Sequence, residues 1–197
     1  MNNKKITIDQ MKNIAKLYGI HKVASLRAVH EVECRGNGFN PDDTPVILFE
    51  RHVFRQRLIV NKKITALEKA EKERPDLCNK LGGGYGLYSQ QHNKLAAAAK
   101  YDRTSALEAC SWGIGQVMGY HWLSLGYVSL QAFINEMYKD EAAQLDAMCR
   151  YIKTNHLIDA LNTQDWKKFA RGYNGVAYAK NQYDKKLATA FDKFNEA

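Results

Sequence analysis

Apolar residues recur at helical spacing through most of the chain, and this period restricts the fold more than any other feature. Met11, Ile14, Leu17 and Tyr18 share one face of a predicted first helix, which Gly19 would end. Further helical segments are predicted at about 21–34, 62–74, 105–108 (where Ser105 and Glu108 resemble a capping box), 133–138 and 145–152. The only strand candidate is Val46–Phe49, after the turn-prone residues 40–43. The pattern predicts a mainly α fold with a small β element near residues 45–50.

The positive charge of the chain is concentrated in its second quarter. Residues 51–100 carry 11 basic and 4 acidic side chains, so this quarter accounts for +7 of the formal +8. It contains a charged helical pattern stopped by Pro75 and a glycine-rich loop at 81–86. With 197 residues the chain is long enough for one core. We expect a single catalytic domain over 1–197, with a basic helical insertion or small lobe at about 61–103.

Several classes of protein are disfavoured by what the sequence lacks. No run of 18 apolar residues is present, so stable membrane insertion is not expected. The N-terminal segment does not have the apolar core of a signal peptide, which predicts a protein made and held in the cytoplasm. The four cysteines show no metal or disulfide spacing, so free thiols, no metal and no cofactor are expected. We expect a monomer.

Glu33 is the first candidate for chemistry. It lies at the end of the second predicted helix, on the same face as the apolar residues Val23, Leu26 and Val29. A carboxyl held against apolar neighbours has a raised pKa, which suits a general acid near neutral pH. The alternative is an ordinary helix-end glutamate paired with Arg35 or with a solvated lysine.

Three other segments combine polar side chains with turns. Glu50 follows the strand candidate directly and is a second possible carboxylate, although it could simply pair with Arg51, Arg55 or Arg57. In 111–119, glycines surround Gln116, whose amide both donates and accepts hydrogen bonds, as sugar recognition requires. In 169–175, a helix end exposes Tyr173 and Asn174 beside a glycine turn. Each could be plain turn chemistry.

Taken together and in order, the segments 32–39, 45–52, 111–119 and 171–175, with Tyr178–Lys180 and Tyr183–Asp184 after them, resemble the N-acetylmuramidase family of phage endolysins. The resemblance covers roughly residues 20–190. It implies a lysozyme-like, two-lobed helical fold that cleaves the β-1,4 bond between N-acetylmuramic acid and N-acetylglucosamine in peptidoglycan. It further implies a separate holin-like protein that releases the enzyme from the host cytoplasm to the periplasm and cell wall, where its basic surface would meet an anionic envelope.

The resemblance also implies roles for particular residues. Glu33 matches the catalytic acid of the family, and Gln116, Tyr173 and Asn174 match its substrate cleft. The sequence departs from the family pattern at Cys34, where a small hydroxyl residue is usual, and so lacks any hydrogen bond that this hydroxyl makes to the acid.

The second carboxylate remains open between Glu50 and Asp42, the latter at an acidic position of the family pattern. An inverting enzyme needs a base about 6.5–9.5 Å from the acid, and a retaining enzyme a nucleophile about 5–5.5 Å away. Glu50 is favoured because a strand end fixes a side chain better than a loop.

Four other functions compete with a hydrolase. The same acid serves a lytic transglycosylase. His30 and Cys34, four residues apart, could form the thiolate and imidazole pair of a cysteine amidase or peptidase, although a helix C-terminus raises a thiol pKa. A metal site with His52 fits no common spacing. The basic second quarter, with Tyr85 and Tyr88 in its loop, could bind nucleic acid, but a solvated basic face is commoner and no nucleic acid is expected.

Overall fold

The computed structural model describes residues 4–34 and 36–196, and it confirms a mainly α fold with a small β element. In the described residues the α-helices are α1 (Ile8–Tyr18), α2 (Val23–Glu33), α3 (Arg51–Val60), α4 (Ile64–Glu73), α5 (Gln91–Ala99), α6 (Arg103–Glu108), α7 (Leu130–Lys139), α8 (Glu141–Thr154), α9 (Ile158–Asn162), α10 (Trp166–Asn174) and α11 (Tyr183–Asn195). The strands are β1 (Ile47–Phe49), β2 (Cys110–Trp112) and β3 (Val117–Met118). Short 3₁₀ turns lie at Tyr88–Gln90, Gly119–His121 and Val176–Asn181.

Helix α1 begins and ends as its sequence predicts. Thr7 and Gln10 form a capping box, and Gly19 adopts the left-handed conformation (φ 68°) that ends the helix. The predicted apolar face is wrong at one position, because Leu17 is 69% exposed while Met11 is buried. The four apolar residues of α1 span a wider part of the helix circumference than the part that packs against the core.

The sheet is larger than the sequence predicts. Strand β1 pairs antiparallel with β2, which pairs antiparallel with β3, so the order is β1-β2-β3. The expectation of a single strand is therefore wrong, since 111–119 is a hairpin and not only a glycine turn. Strands β2 and β3 have three and two residues, too few to show a period of two.

Helix α6 is capped by a different residue from the one predicted. The side chain of Asp102 accepts a hydrogen bond from the backbone N–H of Ser105, so Asp102 is the N-cap and Ser105 lies inside the first turn. The Ser105 hydroxyl instead accepts from Asn61 Nδ2 at 3.0 Å. Asp and Ser are both strong N-cap residues, and spacing alone does not separate them.

The basic second quarter shares the main core. Leu67, Leu77 and Leu95 are buried in the same cluster as Leu26 of α2 and Phe133 of α7. The division of the chain into one catalytic domain with a small lobe stays a prediction. Among the helices that the structure describes, none is long and apolar enough to cross a membrane.

Candidate active site

Two adjoining cavities form a cleft between the hairpin, the end of α2 and the end of α10. The larger has a volume of about 630 Å³ and the smaller about 280 Å³. Both are lined by Glu33, Gln116 and Met118. Glu33 therefore lies where the two arms of an elongated cleft meet, which is a suitable position for a group that acts in the middle of a polymer.

Glu33 is the last residue of α2, and a partner from the distant helix α10 holds its side chain. Asn174 Nδ2 donates a hydrogen bond to Glu33 Oε1 at 2.9 Å. The predicted alternative partner, Arg35, lies outside the described residues. The contact with Asn174 fixes the carboxyl in the cleft, so the geometry brings together two of the residues that the sequence singled out.

Glu50 lies between β1 and α3 and lines the larger cavity together with Glu33. Its backbone N–H donates to the carbonyl of Ala109 at 3.0 Å, so the sheet holds this position. His52 Nδ1 lies 3.3 Å from Glu50 Oε2.

The predicted pairing of Glu50 with nearby arginines is wrong, because each of those guanidinium groups has another partner. Arg51 donates to the carbonyls of 81–82, Arg55 to Glu71, and Arg57 to Glu108. Glu50 therefore has no ion pair with these three arginines, and it lines the larger cavity.

Asp42 is not brought to the cleft. It lies in an exposed turn and accepts hydrogen bonds from Thr44 N at 3.1 Å and from Thr44 Oγ1 at 2.7 Å. These hydrogen bonds lower the pKa of its carboxyl. Asp42 lines neither arm of the cleft, so of the two candidates for second carboxylate only Glu50 lines a cavity together with Glu33.

Gln116 holds the hairpin in shape as well as lining the cleft. Its Oε1 accepts from Ser111 Oγ at 2.7 Å, and its Nε2 donates to the Gly113 carbonyl at 2.8 Å. Its φ of 46° is rare for a residue with a side chain, and these two hydrogen bonds within the hairpin compensate for that conformation. Part of the hydrogen-bonding capacity of the Gln116 amide is therefore used within the protein.

Tyr173 connects α10 to the same hairpin. Its ring stacks on Phe169 with 5.5 Å between centroids, and its hydroxyl donates to the carbonyl of Gly115 at 3.3 Å. Burial raises the pKa of this phenol, so it remains a neutral hydrogen-bond donor. Tyr173 thereby sets the position of the neighbouring Asn174, which holds Glu33.

Comparisons with known proteins agree with this geometry. The family model of the N-acetylmuramidases matches residues 22–195. The chain belongs to the N-acetylmuramidase family. Among solved structures, the crystal structure of the Burkholderia AP3 phage endolysin matches with a TM-score of 0.92 and 39% sequence identity, over 100% of this chain and 74% of that one. A comparison with curated proteins found no match. The predicted resemblance and lysozyme-like fold are confirmed, and this chain is a peptidoglycan hydrolase.

The smaller arm of the cleft has an aromatic wall that could not be recognised in the sequence. Tyr120, His121 and Tyr151 line it together with Tyr173, with ring centroids 4.3–5.6 Å apart. Burial lowers the pKa of His121, which keeps its imidazole neutral. Such rings suit the apolar faces of sugars. A clue is the pair Tyr120–His121, which comes directly after the Gly119 that ends the hairpin.

Two buried polar residues of α8 hold segments that border the cleft, and the sequence analysis did not identify either of them. Glu141 is 4% exposed, and its carboxylate accepts from the backbone N–H groups of Gly38 (2.9 Å) and Ile6 (3.1 Å). Gln144 is 1% exposed, and its Oε1 accepts from the N–H of Ile114 at 2.9 Å. The loop before β1 and the β2–β3 hairpin are therefore both anchored to one helix.

The geometry does not support the thiol and metal sites that the sequence left open as alternatives. Cys34 is buried, and burial raises the pKa of its thiol, whereas a nucleophile needs the opposite shift. Burial also lowers the pKa of His30. Within residues 4–34 and 36–196, no group of three or more possible metal ligands occurs, and the structure does not bring His30, Cys34 and His52 together as one.

Proposed function

We propose that this chain is an endolysin that cleaves the β-1,4 bond from N-acetylmuramic acid to N-acetylglucosamine, with Glu33 as general acid. The observation that carries the proposal is the position of Glu33 where the two arms of the cleft meet, with Asn174 Nδ2 at 2.9 Å from its Oε1. The endolysin identity of the Burkholderia phage protein supports it. The enzyme would stay in the host cytoplasm until a separate holin-like protein permeabilises the membrane.

The contact with Asn174 suggests how the acid works. A donor on Oε1 favours placing the acidic proton on the other oxygen, Oε2. That proton can pass to the glycosidic oxygen as the bond breaks, while Asn174 stabilises the carboxylate that forms. Asn174 then acts mainly on the acid, although the resemblance suggested a contact with the substrate.

Glu50 is proposed as the base that activates water. It shares the larger cavity with Glu33, and His52 lies beside it. A carboxylate that holds water leads to hydrolysis, whereas without it the 6-hydroxyl of the muramic acid can attack and form a 1,6-anhydro product.

We expect purified peptidoglycan to yield fragments with reducing-end muramic acid, as mass spectrometry of the digest would show. Glu50→Gln should slow release of these fragments about tenfold to a hundredfold, because the amide cannot take a proton from water. Asp42→Asn is the matched control and should digest at nearly the wild-type rate, since Asp42 is exposed and outside the cleft. Mainly 1,6-anhydro products would assign the chain to the transglycosylases, and full activity in Glu50→Gln would remove Glu50 from the mechanism.

The basic second quarter is proposed to hold the enzyme on its insoluble, anionic substrate. Exposed charges act over about 8 Å at physiological ionic strength and over less at high salt. Binding to cell walls should therefore weaken as salt rises, while cleavage of a short soluble glycan should change much less. Exchanging four exposed lysines for glutamine should have the same effect as high salt, namely Lys62, Lys63, Lys69 and Lys72.

A control with the same change in net charge tests whether location matters. It exchanges four exposed lysines from the second half of the chain, namely Lys153, Lys167, Lys168 and Lys180. If both quadruple variants lose wall binding equally in a sedimentation assay, net charge alone is responsible and the second quarter is not a docking surface. Binding that is independent of salt would contradict any electrostatic role.

A further inference from the structure

The glycine-rich loop, taken here together with the two residues that follow it as residues 81–88, is exposed but carries large apolar side chains. Leu81, Leu87 and Tyr88 are 72%, 66% and 71% exposed, and Tyr85 is 39% exposed. Four such side chains within eight residues are costly to leave in water and are typical of a surface that binds something.

The backbone of this loop is fixed although it contains little regular secondary structure. Three side chains donate six hydrogen bonds to its carbonyls: Arg51 to Leu81 and Gly82 (both 2.9 Å), Lys94 to Gly84 and Tyr85 (both 2.6 Å), and Gln91 to Tyr85 (2.7 Å) and Leu87 (3.1 Å). A Cβ on Gly84 would lie 2.9 Å from Arg51 Nη1, and its φ of 70° favours glycine. The exposed rings are therefore presented from a preorganised backbone.

The loop is also tied to the strand that delivers Glu50. Gln91 is 1% exposed, and its Oε1 accepts a hydrogen bond from the backbone N–H of Phe49 at 3.0 Å. Gln91 therefore binds both the loop and Phe49, which directly precedes Glu50. Tyr88 lines the larger cavity together with Glu33 and Glu50. Tyr88 is thus part of the wall of the cleft.

We infer that Tyr88 forms a saccharide-stacking subsite in the larger arm of the cleft, which Glu50 also lines. The glycine-rich loop, whose backbone carbonyls are hydrogen-bonded, holds Tyr88 there. The ligand is a neutral sugar ring of the glycan, because an aromatic face suits the apolar face of a sugar and two carboxylates in the same cavity repel phosphate groups. Nucleic acid is disfavoured here for that reason, despite the basic residues nearby. The inference rests on the proposed function.

The test measures binding of purified peptidoglycan glycans of two, four, six and eight sugars to a Glu33→Gln background, so that cleavage does not interfere. Adding Tyr88→Ala should weaken binding of the longer glycans about fivefold to tenfold, with a much smaller change for the disaccharide. Tyr88→Phe should restore most of the affinity, because the ring and not the hydroxyl makes the contact. Leu87→Ala is the matched control on the same loop, since Leu87 is as exposed as Tyr88 but does not line the cavity.

Equal losses for all glycan lengths, no loss at any length, or failure of Tyr88→Phe to restore binding would each overturn the inference. An equal loss in Leu87→Ala would also overturn it, because the effect would then come from the loop as a whole. Tighter binding of single-stranded DNA than of glycan would assign the ring to nucleic acid. If the wild-type enzyme digests no peptidoglycan and the Glu33→Gln variant binds none of the glycans, the proposed function fails, and the inference fails with it.

Discussion

Replacing Glu33 with glutamine is expected to leave the fold intact and to lower lytic activity at least about a hundredfold. Glutamine has nearly the same shape, and its side-chain oxygen can still accept the hydrogen bond from Asn174 that Oε1 accepts now. The amide cannot donate a proton to the leaving glycosidic oxygen, however, so the step that needs an acid is lost. The loss is measured as the rate of turbidity decrease of a cell-wall suspension, with circular dichroism to check folding.

Cys34→Ser is the control for this experiment, because it changes the neighbouring residue without removing the acid. Cys34 is 7% exposed, and burial raises the pKa of its thiol, so it does not supply a thiolate near neutral pH. We expect some loss of stability and largely retained activity. Complete inactivity of a folded Cys34→Ser protein, or near wild-type lysis by Glu33→Gln, would reverse the assignment and favour a cysteine mechanism.

Glu141→Ala is expected to lower the free energy of unfolding by about 2–4 kcal/mol. The substitution leaves two backbone N–H groups, those of Ile6 and Gly38, without the acceptor that they have in the native state. It also removes the ion pair with Lys5 at 3.2 Å. The measurement is urea unfolding followed by circular dichroism. Since Gly38 lies in the loop next to the cleft, KM for peptidoglycan should rise as well.

Glu136→Ala is the matched control, because it removes the same carboxylate from the surface of the preceding helix. Glu136 forms an exposed ion pair with Lys139 at 3.5 Å, and such pairs contribute about 0–1 kcal/mol. Its unfolding midpoint should shift little. Equal shifts in the two variants would mean that the carboxylate of Glu141 does not anchor the loop.

The helices could be predicted from the sequence because their signals are local. Gly19 ends α1 and the apolar run 46–49 contains β1, and both are visible within a few residues. The same local signals do not show which part of an apolar helix face packs against the core. For this reason Leu17 was assigned to the buried face of α1, although it is exposed. Nor do they show strands of two or three residues such as β2 and β3, where the glycines of the hairpin dominate the pattern.

The site could be predicted in part, through motifs that lie far apart in the chain. The resemblance singled out both Glu33 and Asn174, 141 residues apart, but spacing gives no account of their contact. The contact of Glu141 with Gly38 spans 103 residues and belongs to no motif that was recognised. A signal was available in α8, where Glu141 and Gln144 lie on the same helical face as Met148, and polar residues on a buried face call for partners.

The four cysteines have a practical consequence, because all of them are buried and free in the folded protein. Cys78, Cys110 and Cys149 are at most 1% exposed, so a thiol reagent can modify them only when the structure opens around them, and the rate of modification reports the population of opened states. Cys34 is 7% exposed and lines the cleft, so its labelling reports the state of the cleft wall. The four cysteines lie in different regions: Cys34 beside the cleft, Cys78 in the second quarter, Cys110 in the sheet and Cys149 in α8. Mass spectrometry of the labelled peptides would therefore measure the labelling of four regions in one experiment. The enzyme thus carries its own probes of local unfolding, and Glu141→Ala should increase labelling of Cys34 more than that of Cys78.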